Sequence, residues 1–280
     1  MSDTVYSNAA LDNIDLSYAN FKNAELIATN LMKTSLEHAI FENADLTEAN
    51  LIGTMLANAN LSNANLSTAQ LMEADLSEAN LTGATLSGTF LIGANLRRCN
   101  LSKTNLNSAI LARSDASRAL FNDCIAPNTN FVGVNATEAN FTNANFTNGD
   151  FSTARLQGVN IHGANFSHVK MLETTLTGIV IFDSVNFDQS DWWNASDISE
   201  DLLKYLKHVF PCPQTEEERC KHFEELYGKS VTDEIIAKQN KLLGIKEKVQ
   251  QPHIDDINLD ASQLTPELLA KLADSYLDEQ

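Results

Sequence analysis

Residues 59–78 read Ala59-Asn60-Leu61-Ser62-Asn63-Ala64-Asn65-Leu66-Ser67-Thr68-Ala69-Gln70-Leu71-Met72-Glu73-Ala74-Asp75-Leu76-Ser77-Glu78, four copies of one five-residue phrase. Each copy carries a leucine, an alanine two places before it, and Asn, Gln or Asp between the two. Carried outward in the same phase, every fifth residue from Leu11 to Ile181 is Leu, Phe, Ile or Met except Ala116, Ala126 and Ala136, which makes 35 units without insertion or deletion. The residue two places earlier is small in 33 of the 35, Ile14 and Ile179 being the exceptions, so two positions per unit are held apolar or small along the whole run.

A period of five matches neither the 3.6 of a helix nor the alternation of a long strand. It matches a chain that runs straight for a few residues and then turns a corner, always in the same sense. The large residue and the small one two places before it then share the inner side, as strand geometry requires, and the other three positions face outward.

Units such as Ala59-Asn60-Leu61-Ser62-Asn63 and Ala74-Asp75-Leu76-Ser77-Glu78 resemble the pentapeptide-repeat family, whose pattern is small, Asp or Asn, Leu or Phe, small polar, any residue. The likeness covers roughly residues 9–193. It implies an all-β solenoid, a right-handed quadrilateral β-helix of 20 residues per coil. About nine coils spaced by roughly 4.8 Å would give a rod on the order of 43 Å long. The phase slips by one residue after Ile181 and resumes at Val185-Asn186-Phe187 and Ser190-Asp191-Trp192, and the bulky Phe187, Trp192 and Trp193 suit the start of a cap. Phe121, Phe131 and Phe141 interleave with the three core alanines, which reads as small packed beside large.

The composition changes after Ala195, so the chain divides into a β-helix over 1–195 and a small α-helical C-terminal region over 196–280. Ile198–Phe210 reads as an amphipathic helix ended by Pro211-Cys212-Pro213. Thr215 with Glu218 has a capping-box pattern, opening a helix that Gly228 stops after Tyr227. Further helices are expected over 232–243 and from Thr265-Pro266, with a polar connector over 246–260. This region caps the solenoid, dimerises or recruits a partner.

The chain has 37 acidic and 19 basic residues, a formal charge of −18. Direct nucleic-acid binding and an anionic membrane surface are thereby disfavoured. No apolar run is long enough for a membrane span, and the first ten residues lack the basic head and apolar stretch of a secretory signal. Four cysteines make no disulfide framework, which fits a reducing cytoplasm; the family resemblance adds the expectation of a bacterial protein. Six histidines show no zinc spacing with the cysteines, and no phosphate loop, nucleophile elbow or calcium loop is present. The expectation is a non-enzyme without cofactor or metal.

Outward positions stack every twentieth residue, and most columns are polar. One is not: Asp12, Met32, Ile52, Met72, Ile92, Ala112, Val132, Ser152 and Leu172, widened by Phe90 and Ile110. A contiguous apolar patch usually marks an interface. Met32, Ile52, Met72, Phe90, Ile92, Ile110, Val132 and Leu172 are therefore the candidate contact stripe for a protein partner or a homodimer, unless the C-terminal helices fold over it. A second column, Glu78, Arg98, Arg118 and Glu138, reads as cross-coil ion pairing, as do Lys103 and Asp123.

The favoured function is a non-catalytic interaction scaffold presenting a rigid acidic rod. The alternative comes from the resemblance, since some pentapeptide-repeat proteins imitate DNA, bind bacterial DNA gyrase and protect it from poisons. Its candidate residues are Asp45, Glu48, Glu73, Asp75 and Glu78, within residues 1–90, which hold 11 acids and two bases. Against it, residues 91–125 hold five bases and two acids.

Overall fold

A computed structural model describes residues 1–213 and 215–228. Met1–Gly228 forms one compact unit. Its body is a right-handed four-sided β-helix. Parallel bridges join each residue before a core position to the residue 20 places on, from Val5 with Glu25 through Arg155 with Thr175. We name the faces by their core residues: face A carries Leu31, Leu51 and Leu71; face B, Leu36 and Leu56; face C, Phe41 and Leu61; face D, Leu46 and Leu66.

The five-residue phrase is explained by where its five amides go. In the unit around Leu46, Asp45 N donates to Ala24 O of the coil before (2.9 Å), while Leu46 N and Glu48 N donate to Asn65 O and Ser67 O of the coil after (2.7 and 3.0 Å). Ala49 N closes the corner on Leu46 O at 3.0 Å. The fifth amide, Thr47 N, has no backbone acceptor and takes the Asp45 side chain instead, at 3.0 Å. The same bond runs from Ser62 N to Asn60, from Ser67 N to Asn65 and from Ser77 N to Asp75. Asp or Asn before the core residue therefore completes the satisfaction of buried or turn amides. Between coils these side chains also form a ladder, Asn95 donating to Asp75 at 2.9 Å.

The second residue after each core position sits in the left-handed region, Asn63 at φ 56° and Glu73 at φ 58°. That conformation costs about 1–2 kcal/mol in a non-glycine residue. Each such residue recovers it through an inter-coil bond from its own amide, Asn63 N to Thr82 O at 3.0 Å.

The core is a continuous column. Phe121 and Phe131 enter one coil from opposite faces with ring centroids 5.8 Å apart, leaving room only for Ala116 and Ala126 on the other two sides. Pro127 fits its corner because Ile125 offers no side-chain acceptor and proline has no amide to satisfy. The ladder passes through it, Ser108 N donating to Pro127 O at 3.0 Å.

The last unit departs from the periodic reading. Ile181 was expected in the core, yet it is 46% exposed. Phe182 packs against the core instead. The additional residue turns the register from 20 to 21, Asn165 bridging Asn186. Beyond it, Phe187 and Trp192 are buried and begin the cap, and Trp193 packs half-buried beside them. Helix α1 (Glu200–Val209) buries Leu202 and Leu206 on the column end. Its N-cap Ser199 donates to Ile179 O at 3.0 Å rather than capping the helix, tying α1 to the last coil. Helix α2 (Glu216–Tyr227) has the expected capping box between Thr215 and Glu218 and ends at Gly228. The helices expected over 232–243 and from Thr265, and the connector between them, lie outside the described residues.

Candidate functional site

Face A differs from the other three. Its ladder runs Asn30, Asn50, Gln70, Phe90, Ile110, Asn130, Asp150. Asn30 and Asn50 accept from Met32 N and Ile52 N (both 3.3 Å), and Asn130 accepts from Val132 N (2.9 Å). Gln70, Phe90 and Ile110 make no such bond. Three coils in succession thus replace the amide acceptor with a longer or apolar side chain. Other faces carry substitutions such as Ile40, Met55, Leu120 and Ile125, but among the described residues none loses its ladder on three consecutive inner coils.

The structure gathers Met32, Ile52, Met72, Ile92 and Val132 into one column with Phe90 and Ile110 beside it. Phe90 is 38% and Ile92 36% exposed, while the others are half-buried. Leu172 stands apart, two coils beyond Val132 with Ser152 between. There the face meets the cap: Lys170 lies 5.1 Å from the centroid of the Tyr227 ring. Within the described residues α1 covers the end of the column and α2 joins the last coil through Tyr227, while Phe90 and Ile92 stay exposed.

The acidic candidates do not share a face. Asp45 and Glu48 lie on face D, Glu73 on face A, Asp75 and Glu78 on face B. Asp45 and Asp75 are ladder residues, the latter accepting from Ser77 N and Asn95 (both 2.9 Å). Glu78 pairs with Arg98 at 3.2 Å and Glu138 with Arg118 at 2.7 Å, the cross-coil pairing read from the sequence. Lys103 and Asp123 form no such pair; Asp123 instead accepts from Asn143, the corner residue of the next coil, at 3.2 Å. Arg97, Arg98, Arg118 and Arg155 line a shallow concavity of about 430 Å³ on face B. Arg155 joins them from a ladder position.

Cys99 and Cys124 are buried core thiols whose pKa burial pushes far up, so neither is poised as a nucleophile. The carboxyl that burial perturbs is Asp191 in the cap. It is fully buried and accepts from Met171 N (2.5 Å), Asn194 (2.9 Å) and the Tyr227 hydroxyl (2.5 Å). Burial raises its pKa, and these bonds oppose the rise. Asp191 therefore pins α2 to the last coil. Among the described residues, no group of three or more His, Cys, Asp or Glu is placed to hold a metal ion. No described helix is long and apolar enough to cross a membrane.

Family models for pentapeptide repeats match residues 7–43, 29–67 and 74–113, and a second model, the pentapeptide repeat region, matches 112–181. The chain belongs to the pentapeptide-repeat family. Among solved pentapeptide-repeat structures, a trypsin-treated form of QnrB1, a plasmid-mediated fluoroquinolone resistance protein, aligns with a TM-score of 0.50 at 17% identity over 76% of this chain and 99% of that one. HetL, involved in heterocyst differentiation regulation in the cyanobacterium Nostoc sp., aligns with a TM-score of 0.38 at 27% identity over 68% of this chain and 88% of that one. A search of curated proteins finds no match.

Proposed function

We propose that this pentapeptide-repeat protein is a non-catalytic scaffold that docks another protein on face A. The observation that carries the reading is the exchange of ladder Asn for Gln70, Phe90 and Ile110 on three successive coils. Each exchange gives up a side-chain acceptor for a turn amide, worth about 0.5–1.5 kcal/mol, and places longer or apolar groups on a water-facing surface. Neither change helps the solenoid; the apolar side chains suit a surface covered by a partner, and the freed amides then need an acceptor from that partner or from water. The net negative charge favours a protein over nucleic acid as that partner. Photo-crosslinking tests it: a benzophenone amino acid at Ile52 should yield protein adducts in cells, and the same group at Ser62, on the opposite face C, should not. Equal yields from both faces, or none from Ile52, would overturn the reading.

A second reading, mimicry of DNA toward gyrase, draws support from the charge of residues 1–90, with 11 acids against two bases. Fluoroquinolone resistance is a property of QnrB1, and it motivates the assay. Purified protein should inhibit or protect gyrase supercoiling in the presence of a quinolone, and the effect should weaken with salt. Neutralising Asp45, Glu48, Glu73, Asp75 and Glu78 together should abolish it. No effect at micromolar protein would remove this reading.

A further inference from the structure

We infer that the partner on face A is a second copy of this chain, packed antiparallel about a two-fold axis that runs across the face at Ile92. The inference rests on face A being the docking surface and adds the identity and register of the occupant.

The argument is that face A is self-complementary about one coil. An isologous contact sets residue i against j and j against i. Reversal of the rod about the coil of Ile92 sets each column of the face against itself in opposite order. In the column of first turn residues, Ile92 then meets Ile92, Met72 meets Ala112, and Ile52 meets Val132. The ladder column behaves in the same way. Phe90 meets Phe90, Gln70 meets Ile110, and beyond this gap Asn50 meets Asn130. The three-coil interruption is thus centred on this coil, and the stripe is apolar on both sides of it from Ile52 to Val132, although the two columns are distinct in sequence; one coil further out Met32 meets Ser152.

A third column agrees. The second turn position carries glycine on alternate coils, Gly53, Gly93 and Gly133, at φ 63°, 67° and 66°. Reversal sets Gly53 against Gly133 and Gly93 against itself, so corners that lack a Cβ face one another and leave room for the apolar residues beside them. Between the glycines, Glu73 comes opposite Arg113, opposite in sign. Arg113 has interactions of its own, so the apolar and glycine registers carry the proposal and the charges only agree with it. The matched stretch, from the coil of Ile52 to that of Val132, covers four coil spacings, roughly 19 Å.

Long-range charge selects antiparallel over parallel packing. Residues 1–90 hold 11 acids and two bases, and residues 91–195 hold eight acids and seven bases. Parallel packing would lay the two acidic halves side by side. Antiparallel packing lays each beside a nearly neutral half and avoids that repulsion.

The test is a charge swap read by sedimentation equilibrium or light scattering at tens of micromolar. The natural chain should have the mass of two copies. Ile92→Glu, which brings two carboxylates together at the axis, should weaken association about 100-fold or more and leave the far-ultraviolet circular dichroism of the folded chain unchanged. Ile52→Lys alone should also give a single-chain mass. Ile52→Lys combined with Val132→Glu should restore the two-chain mass. Within one chain these positions are four coils apart, roughly 19 Å, so rescue can come only from the partner copy in this register. A single-chain mass for the natural protein, or no rescue by the double variant, overturns the inference. So does a crosslink from Ile52 to a different protein, an outcome that would leave face A standing as a docking surface.

Discussion

The repeated coils and the cap reach the same degree of burial by different routes. In the coils each interaction recurs every 20 residues: Leu46 N to Asn65 O, Leu66 N to Thr85 O and Leu86 N to Asn105 O are all 2.7 Å. No single bond is indispensable, because its neighbours above and below repeat it. In the cap each contact occurs once. Asp191 alone joins Met171, Asn194 and Tyr227, and Trp192 Nε1 alone reaches Phe210 O at 2.9 Å. A solenoid propagates by nearest-neighbour terms, whereas an end must be closed by particular residues. The coils should therefore fail collectively and the cap locally.

The largest effect is expected from Phe141→Ala. This ring lies within 6.4 Å, centroid to centroid, of Phe121, Phe131, Phe146, Phe151 and Phe166. Its removal should lower urea stability by about 3–5 kcal/mol, in one transition of the whole solenoid; a loss confined to nearby coils would break the comparison. Asp191→Ala comes next, at about 1–3 kcal/mol, because three donors lose their acceptor in a dry site. Both tryptophans of the chain belong to the cap. Their emission should red-shift at lower urea than the far-ultraviolet circular dichroism changes, and coincident transitions would show that cap and coils are one cooperative unit.

The pH dependence sharpens the same contrast. Burial holds the His222 imidazole below its ordinary value, with Glu225 opposing and His168 adding to the shift. The folded cap prefers the neutral ring, so its stability is full above the ordinary imidazole pKa of about 6.5 and declines as pH falls through that value toward the depressed one. Asp191 has the opposite sign. Its raised pKa makes its contribution greatest below the ordinary 3.8 and smaller as pH rises toward the folded value. Tryptophan emission should therefore report loosening as pH drops below about 6.5, and His222→Asn should remove that step. The smallest effect belongs to Arg118→Ala. Its pair with Glu138 is 2.7 Å long but more than half exposed on both sides, so the loss should stay under about 1 kcal/mol in urea titration.

Much of the solenoid was legible because a single unit specifies it. Ala59-Asn60-Leu61 fixes inside from outside, and repetition multiplies the signal until Met32, Ile52, Met72 and Ile92 fall into one column. The ladder role of Asn was not legible, since it depends on knowing which amide the corner leaves over. Once it is known, Phe90 and Ile110 become more than apolar neighbours. At the end of the rod, periodicity misled: Ile181 keeps the count of five, and only the pull of the cap on Phe182 decides which of two adjacent apolar residues turns inward. Asp191 resembles any ladder Asp in sequence. Its burial follows from Tyr227, 36 residues away, which no local pattern connects to it.

The 20-residue stacking rule has a consequence for how such a gene can grow. Bridges join residues 20 apart around four equal sides, so an in-frame duplication of 20 codons inserts one whole coil and leaves every face where it was. Duplication of five codons is just as compatible with the core, yet it rotates everything downstream by a quarter turn and moves the following half of the stripe onto a neighbouring face. The hydrophobic interior tolerates both events. A docking face tolerates only the first, so a rod that keeps one column from Met32 to Val132 can lengthen only by whole coils.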